Sequence, residues 1–208
     1  METSRKPIVI IGYSGHAYVV VDIFRLNGRT VNAYCDNEEK SNNPFHLSYM
    51  GRETESAEQL KGLDFFPAVG QNEIRKKIFL SLSLLLGEPP NAIHPNAIIA
   101  GSAKMGNGVM VAASATINSL AVIGQGVICN TSSSIDHECV IGDFTHIAPG
   151  AVICGDVSIG AGSFIGANSV ITQGLRIGNN VIIGAGSVIV KDVPDNTKFI
   201  GNPGKQVL

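Results

Sequence analysis

Asp136, His137 and Glu138 stand side by side in the sequence, and His146 follows nine residues after His137. A histidine flanked by carboxylates is a candidate general base, because nearby negative charge favours its protonated form and raises its basicity. The same tripeptide also occurs by accident in polar surface turns. Chemistry at His137 is therefore expected only if the surrounding elements hold it in a defined site.

Composition and charge exclude several classes of protein. The chain has 208 residues, of which 44% are hydrophobic and 15% charged, so it can bury the core of one large or two small domains. The net charge is -2 and the longest basic run is Arg75-Lys76-Lys77, which argues against a nucleic-acid partner. The four cysteines lack a CxxC spacing and the histidines are scattered, so neither disulfides nor a metal site is expected.

The start of the chain carries no membrane signal. Its first apolar run, Ile8–Ile11, is too short for a signal peptide or a membrane span. We therefore expect a cytoplasmic protein with no membrane partner.

Residues 1–90 predict a small domain of alternating strands and helices. A buried strand runs up to Gly12, a helix covers Ala17–Leu26, and a second strand, Thr30–Cys35, ends at an acidic residue, Asp36. This order is typical of a Rossmann-like, mononucleotide-binding half, in which the helix N-terminus holds a phosphate. Gly12 and Gly15 alone do not complete a G-x-G-x-x-G fingerprint, so a turn without a ligand stays an open alternative.

The rest of this domain continues the pattern. We expect a loop over Glu38–Met50, a short helix over Thr54–Lys61, a third strand over Asp64–Gly70, and a helix over Glu73–Leu86 with Asn72 as its cap. Ligands of such domains bind at the carboxyl ends of the strands. Gly70 ends the third strand at that edge, as Gly12 ends the first.

Residues 91–208 contain an internal repeat of six residues. Of the 16 positions taken every sixth residue from Ile99 to Ile189, 13 are isoleucine and the register never slips. Neither a helix nor an ordinary strand has this period. The repeat predicts a β-solenoid with hexads over about 97–192, in which three hexads form one triangular coil.

A coil of 18 residues places His137 beside Ser119, Gly155 and Gln173 of neighbouring coils. Gly155 is thus a candidate backbone donor to an oxyanion. Another stack contains Pro149, Ala167 and Ala185, whose two alanines leave a shallow groove suited to a long flexible chain such as pantetheine. His146 is half a coil from His137, which puts it on another face of the prism. The two histidines could then act together only across a subunit boundary.

Longer motifs link this chain to a family. They are Gly12-Tyr-Ser-Gly-His16, Val69-Gly-Gln-Asn-Glu-Ile-Arg-Lys-Lys77, Gly126-Val-Ile-Cys-Asn-Thr-Ser-Ser133, His137-Glu-Cys-Val-Ile-Gly-Asp-Phe-Thr-His146 and Gly201-Asn-Pro-Gly-Lys205. In these the chain resembles the bacterial sugar O- and N-acetyltransferases of the sialic-acid acetyltransferase type. Within them it is most similar to the UDP-4-amino-sugar N-acetyltransferases of the bacillosamine pathway. The resemblance implies a left-handed solenoid, where the general crossover rule predicts a right-handed one.

The resemblance also implies roles for individual residues. His137 matches the catalytic base and Glu138 the acid that raises its basicity. His146, Ala167 and Ala185 match positions that contact acetyl-coenzyme A. The positions that match contacts to the nucleotide sugar are Ser14, Gly15, His16, Asp36, Asn37, Gly70 and Asn130. Tyr13 departs from the family, which usually has alanine in this turn.

The predicted activity is transfer of an acetyl group from acetyl-coenzyme A to the 4-amino group of a UDP-4-amino-4-deoxy sugar, without a metal. The resemblance further implies a homotrimer with active sites between subunits. Two other acceptors fit the same residues, a sialic acid hydroxyl and another nucleotide amino sugar such as GDP-perosamine. A solenoid scaffold without catalysis is the alternative from a different class.

Overall fold

The structure is a computed structural model that describes residues 6–55 and 58–207. Its N-terminal part contains β1 (Ile8–Ile11), α1 (Gly15–Leu26), β2 (Val31–Cys35), β3 (Ser48–Tyr49), β4 (Asp64–Pro67) and α2 (Asn72–Leu86). The four strands form one parallel sheet in the order β3-β2-β1-β4.

The central strand β1 is buried at all four positions. Ile8 and Ile10 belong to an apolar cluster that includes Val20 of α1. Val9 and Ile11, which point to the other face of the sheet, belong to a second cluster on the α2 side together with Ile78. Two covered faces explain why β1 is a continuous apolar run and not an alternating one.

Two predictions for this domain were wrong in detail. Asn72 is the first residue of α2 and Gln71 occupies the cap position. The Asn72 amide instead donates hydrogen bonds to the carbonyl oxygens of Gly162 and Ser163, at 2.8 and 3.0 Å. The predicted helix over Thr54–Lys61 is replaced by turns in its described residues, and positions 56–57 lie outside them.

The predicted loop over Glu38–Met50 contains the short strand β3 and is held against the domain. Tyr13 Oη donates to Asn43 Oδ1 at 2.9 Å, and the Tyr13 ring stacks on Tyr34 with ring centroids 4.3 Å apart. Arg25 donates to the carbonyl oxygen of Phe45 at 3.2 Å. The bulky side chain of Tyr13 therefore points into the domain and ties the loop down.

The C-terminal part is a solenoid of two-residue strands that begins one hexad earlier than predicted, at Ala92. The strands are β5 (Ala92–Ile93), β6 (Ile98–Ile99), β7 (Lys104–Met105), β8 (Met110–Val111), β9 (Thr116–Ile117), β10 (Val122–Ile123), β11 (Ile128–Cys129), β12 (Ser134–Ile135), β13 (Val140–Ile141), β14 (His146–Ile147), β15 (Val152–Ile153), β16 (Ser158–Ile159), β17 (Phe164–Ile165), β18 (Val170–Ile171), β19 (Arg176–Ile177), β20 (Ile182–Ile183) and β21 (Val188–Ile189). Two further strands, β22 (Lys198–Ile200) and β23 (Lys205–Val207), follow them and add to the end of one sheet.

These strands form three parallel sheets, which are the faces of the prism. The first face contains β6, β9, β12, β15, β18 and β21; the second contains β7, β10, β13, β16 and β19; the third contains β5, β8, β11, β14, β17 and β20. Paired residues are 18 apart, as with Ile135 and Ile153, so the predicted coil length is confirmed. The isoleucine ladder is the buried core.

From Gly108 to Gly186, each corner between faces holds one residue in the left-handed region. These residues recur every six positions: Gly108, Ser114, Leu120, Gly126, Ser132, Glu138, Phe144, Gly150, Asp156, Gly162, Asn168, Gly174, Asn180 and Gly186. The conformation costs a non-glycine residue about 1 kcal/mol, and the repeating hydrogen bonds between coils hold it in place. Glu138, with φ of 61°, therefore follows the corner geometry of the whole solenoid.

The N-terminal domain packs on the third face and on the corner between the second and third faces. Ala92, Met110 and Ile128 of the third face join the apolar cluster around α1. Phe79 of α2 meets Phe144 edge to face, with ring centroids 5.3 Å apart. The two parts thus share an apolar contact that fixes one against the other.

The described residues contain no helix long and apolar enough to cross a membrane. The cysteines Cys35, Cys129, Cys139 and Cys154 are free thiols, as their spacing predicts.

Candidate functional site

His137 stands on the corner between the first and second faces, directly after β12. Its Nδ1 lies 3.1 Å from Glu138 Oε2, and both side chains are more than half exposed. The left-handed backbone at Glu138 turns its side chain back toward the ring. Because the carboxylate accepts from Nδ1–H, the lone pair of a neutral ring is on Nε2, the nitrogen left free to act as a base.

The two carboxylates beside His137 have different tasks. Asp136 Oδ1 accepts from the backbone N–H of His137 at 2.8 Å and from the side-chain amide of Asn118 at 2.9 Å. These hydrogen bonds hold the pKa of Asp136 below its usual value. Asp136 thus fixes the backbone of the corner, and Glu138 fixes the imidazole.

Gly155 lies directly under the imidazole ring, one coil away. A Cβ atom at this position would be 2.5 Å from Cε1 and 2.6 Å from Nε2 of His137. The ring can occupy its place only because residue 155 is glycine. Among the hydrogen bonds of residues 6–55 and 58–207, none uses the N–H of Gly155, so this donor is free to bind a ligand.

His137 and Gly155 line one cavity of about 440 Å³, here called the corner cavity. Its other lining residues are Asp136, Cys154, Asp156, Gln173 and Gly174. The register predicted that Gly155 and Gln173 lie beside His137, and the structure confirms it. The corner cavity is a polar site with an imidazole and a free backbone N–H side by side.

His146 lies in a second cluster, on the third face. Its Nδ1 is 3.2 Å from the carbonyl oxygen of Gly70, and its Nε2 is 3.1 Å from the Asn130 amide nitrogen. The ring of His16 is close, with centroids 6.2 Å apart. This junction cluster brings together four residues predicted as ligand contacts: His16, Gly70, Asn130 and His146.

The sequence did not identify Arg75, which lies at the centre of this junction with only 1% of its surface exposed. All five guanidinium N–H groups donate to neutral oxygens between 2.8 and 3.0 Å away. The acceptors are the carbonyls of Val69, Gly70, Gly126 and Phe144 and the side chain of Asn72. In sequence, Arg75 is the first residue of a basic run, and no local signal marks its burial.

The junction favours uncharged histidines. Burial, with a smaller effect of Arg75, lowers the pKa of His16 to about 4. Burial and then Arg75 lower the pKa of His146 to about 4 as well, although the Gly70 carbonyl acts in the opposite direction. Burial lowers the pKa of Arg75 to about 9. At neutral pH the guanidinium is therefore a buried positive charge beside two neutral rings.

A third site lies at the carboxyl ends of β1, β2 and β4. This sheet-edge cavity of about 430 Å³ is lined by Ile11, Gly12, Tyr13, Ser14, Asp36, Asn37, Glu53, Thr54, Val69, Ile74, Lys77, Ile78 and Ser81. Three predicted contacts, Ser14, Asp36 and Asn37, are among them. Glu53 and Lys77 were missed, because Glu53 belongs to no motif and the motif that ends at Lys77 assigns no role to that residue.

Asp36 organises the wall of the sheet-edge cavity. Its carboxylate accepts from the backbone N–H of Tyr13 at 2.8 Å and from that of Asn37 at 2.7 Å, and it pairs with Lys40 at 3.2 Å. Asp36 thus joins the turn after β1 to the end of β2. Since Tyr13 takes part through its backbone while its ring points inward, its departure from alanine leaves the turn intact.

The remaining predicted positions are spread over the surface. Gly15 begins α1 and is exposed. Ala167 and Ala185 are stacked one coil apart, as predicted, with a hydrogen bond of 2.8 Å from Gly186 N–H to the Ala167 carbonyl. Both follow strands of the third face, the face that carries His146. Neither lines the corner or sheet-edge cavity.

A junction cavity of about 450 Å³ lies next to His146 on the third face. It is lined by Gly70, Gln71, Asn72, Glu73, Gly162, Phe164, Asn180 and Ile182. Phe164 and Ile182 continue the ladder of outward-facing residues above His146. In the described ranges no three His, Cys, Asp or Glu side chains are grouped closely enough to hold a metal ion.

Two family models match the chain. Residues 7–82 match the PglD N-terminal domain, and residues 156–191 match the bacterial transferase hexapeptide with six repeats. A curated relative, the UDP-N-acetylbacillosamine N-acetyltransferase of Bacillus subtilis, is 31% identical over 112 residues. The match spans 52% of this chain and 52% of that protein, so it covers about half the length of the relative.

Solved structures match over nearly the whole chain. The acetyltransferase domain of PglB from Neisseria gonorrhoeae, in complex with acetyl-coenzyme A, is 33% identical with a TM-score of 0.93, covering 98% of this chain and 100% of that one. PerB from Caulobacter crescentus, in complex with coenzyme A and GDP-perosamine, is 35% identical with a TM-score of 0.92, covering 97% of both chains.

Proposed function

This chain belongs to the left-handed β-helix sugar N-acetyltransferases, which use acetyl-coenzyme A, and we propose that it acetylates the 4-amino group of a UDP-4-amino-4-deoxy sugar. The observation that carries the proposal is the arrangement in the corner cavity. There Nε2 of His137 is free, Nδ1 faces Glu138, and Gly155 lies beside the ring with an unused N–H.

In this reaction His137 is the general base. The amine nitrogen attacks the thioester carbonyl, so a C–N bond forms, the C–S bond breaks, and the proton lost by the amine moves to Nε2. His137 then returns that proton to the departing sulfur, which leaves as a thiol. Glu138 holds the ring in the required tautomer and offsets its transient positive charge. The N–H of Gly155 donates to the carbonyl oxygen as that oxygen becomes negative.

The N-terminal domain, residues 1–90, is the nucleotide-sugar site in this proposal. Its parallel sheet and the helix that begins after β1 support a Rossmann-like nucleotide-binding domain. Ser14, Gly15 and His16 stand at the start of α1, where free N–H groups favour phosphates. Asp36 and Asn37 face the base and ribose from the sheet-edge cavity.

From that cavity the sugar reaches toward Gly70 and Asn130 of the junction cluster. Only one hydrogen of the Asn130 amide is used by His146, which leaves a donor for the substrate. Polar groups therefore line the route from the nucleotide to the solenoid.

Acetyl-coenzyme A is assigned to the solenoid, residues 91–208. His146 lies on the third face, and Ala167 and Ala185 follow two strands of the same face. Because the two alanines stack on adjacent coils, they form a strip of small side chains along which a pantetheine chain can lie. We assign these three residues to the coenzyme.

We also propose that the active site is shared between subunits of a homotrimer. His137 stands at the corner of the first and second faces, whereas the N-terminal domain docks at the corner of the second and third. The two sites of one chain are thus at opposite edges of the second face. That face exposes Val122 and Val140, which stack on adjacent coils and offer apolar surface to a neighbour.

Light scattering tests the assembly, with a mass of three 21.8 kDa chains as the expected result. Subunit mixing tests the shared site. Inactive His137→Ala and Asp36→Asn variants, unfolded and refolded together, should regain activity, because some interfaces then combine an intact base with an intact nucleotide site. A monomer, or no recovery in well-folded mixed trimers, would contradict the shared site.

The activity is tested by thiol release from acetyl-coenzyme A with a panel of nucleotide amino sugars. We expect the fastest reaction with a UDP-4-amino sugar, and a loss of about 10²- to 10⁴-fold in kcat for His137→Ala. A GDP-4-amino sugar is the second candidate, because PerB was solved with GDP-perosamine. Near-normal acetylation by His137→Ala would show that the base has been assigned wrongly.

A further inference from the structure

A chain of contacts runs from the buried guanidinium of Arg75 to the Asn130 amide. Arg75 Nη1 donates to the carbonyl oxygen of Gly70 at 3.0 Å. The same oxygen is 3.2 Å from His146 Nδ1, and His146 Nε2 is 3.1 Å from Asn130 Nδ2. Since a carbonyl only accepts, Nδ1 carries the hydrogen and Nε2 accepts from the amide. The position of one carbonyl thus decides the tautomer of His146.

Arg75 determines where that carbonyl lies. Nε and Nη2 donate to the carbonyls of Gly126 and Phe144, on two successive coils, at 2.8 Å each. Nη1 holds Val69 and Gly70 at the end of β4. One planar group therefore joins the sheet edge to the solenoid with five hydrogen bonds. A lysine offers three donors without the fixed fork geometry and cannot replace all of these contacts.

The hydrogen bonds of Arg75 do not require a positively charged donor, because all five acceptors are neutral oxygens. None of its five acceptors is a carboxylate, and burying a charge without a partner is costly. Such a group persists where its geometry or its field serves another purpose. Here the field of the guanidinium acts on the rings of His16 and His146.

We propose that Arg75 is a positioning residue for the transferase reaction: by fixing the Gly70 carbonyl against the solenoid, it holds His146 as the Nδ1–H tautomer and so aims the Asn130 amide at the substrate. This proposal rests on the proposed function. Arg75 itself touches neither substrate, and its effect passes through Gly70 and His146.

The first test is NMR of the whole wild-type protein with ¹⁵N-labelled histidine, without substrate. We expect the shifts of His146 to show a neutral ring protonated at Nδ1 from pH 8 down to about pH 5, in keeping with its lowered pKa. A ring protonated at Nε2, or a mixture of tautomers, overturns the proposal whatever the activity of the enzyme is.

The second test compares Arg75→Lys and Arg75→Met with a matched control, Arg29→Met. Arg29 is another arginine of the N-terminal domain with little exposed surface, 12% of its side chain. It donates to Lys6 and Asp64, and none of its hydrogen bonds within residues 6–55 and 58–207 reaches the junction cluster. All three variants should melt below the wild type. Only the Arg75 variants should show mixed His146 tautomers, and in the methionine variant its titration should move to higher pH.

Kinetics then separate positioning from folding. We expect kcat to fall by about 10- to 100-fold in the Arg75 variants, consistent with small misplacements of aligned groups, with an altered acid limb of the pH profile. Arg29→Met should keep the wild-type profile. If folded Arg75 variants retain both the wild-type His146 shifts and the wild-type pH profile, Arg75 is only structural.

Should Arg75→Met fail to fold, Arg75→Lys and the wild-type spectrum decide the matter. If none of the nucleotide amino sugars is acetylated but the His146 ¹⁵N shifts are as expected, the proposed function is wrong, whereas the control of the His146 tautomer by Arg75 is upheld.

Discussion

Two histidines nine residues apart experience opposite surroundings. The side chain of His137 is 57% exposed and faces a carboxylate across 3.1 Å. His146 has 8% of its surface exposed, lies near a guanidinium, and has its pKa lowered to about 4. A group that must gain and lose a proton needs the first setting. A group that must keep one hydrogen-bonding pattern is better served by the second.

The difference arises from the corner and face positions of one repeat. His137 occupies a corner, where side chains project away from the prism, whereas His146 begins a strand on the face that the N-terminal domain covers. Sequence distance therefore says little about role in a solenoid. Position within the hexad, and what packs on that hexad, determine the chemistry available to each residue.

The strongest test of the difference between the two histidines is to displace the His137 ring without replacing the residue. In Gly155→Ala the new Cβ would lie within 2.6 Å of Nε2, so the ring must leave its place. We expect kcat to fall by about 10²-fold, the cost of a misplacement near 1 Å. Steady-state kinetics with acetyl-coenzyme A and the amino sugar measure it.

A matched control is Gly101→Ala, because Gly101 has open space where its Cβ would lie. This variant should keep wild-type rates. Equal rates for Gly155→Ala and Gly101→Ala would mean that the ring does not need its observed position for catalysis.

A smaller effect is expected from the partner of His137. Glu138→Gln keeps a possible acceptor for Nδ1–H but removes the negative charge that offsets the protonated ring. We expect kcat to fall by about tenfold. Asp136→Asn should have a weaker effect, since Asp136 contacts His137 through the backbone N–H and does not bind the imidazole. Identical losses in the two variants, measured at saturating substrates, would contradict the division of roles.

The last prediction concerns the stability of the fold and not the rate of the reaction. Because the folded pKa values of His16 and His146 are about 4, below the usual 6.5, the unfolded chain binds more protons between these values. Stability should therefore fall as pH drops from about 6.5 toward 4, by at most about 3 kcal/mol for each residue. Urea unfolding at several pH values measures it.

The double variant His16→Gln, His146→Gln is the comparison for this measurement. Its stability should change less between pH 6.5 and 4.5 than that of the wild type. Parallel curves for the two proteins would show that the junction histidines are not held neutral by the fold.

Periodic features of this fold were predictable from sequence. The isoleucine ladder gave the solenoid, its coil length and the neighbours of His137, since a strict register leaves one way to stack the coils. The predicted start of the solenoid was one hexad too late, because the hexad that contains Ile93 lies before the first clear repeat. Spacing alone did not show which carboxylate binds the ring, because that depends on the left-handed corner at Glu138.

Contacts between the two parts of the chain were not predictable. Asn72 looked like a helix cap and Arg75 like the first residue of a basic run, yet both bind carbonyls of the solenoid. Asn72 and Arg75 are three residues apart and so share the face of α2 that meets the solenoid. Lys77 is two residues from Arg75, on another face of the helix, where it lines the sheet-edge cavity. Which face of α2 would meet the solenoid depends on packing between domains, and no local pattern encodes it.

A solenoid offers almost the same surface at every coil, so a domain that docks on it must choose one coil among many. Coils repeat about every 4.8 Å, and a slip by one repeat would move the nucleotide site by that distance relative to the acetyl donor. The side chain of Phe144 prevents such a slip. The adjacent Gly126 leaves room for its ring, and Phe79 of α2 packs against that ring. A single aromatic corner residue thus fixes the docking register, because it makes one coil of the repeating surface different from its neighbours.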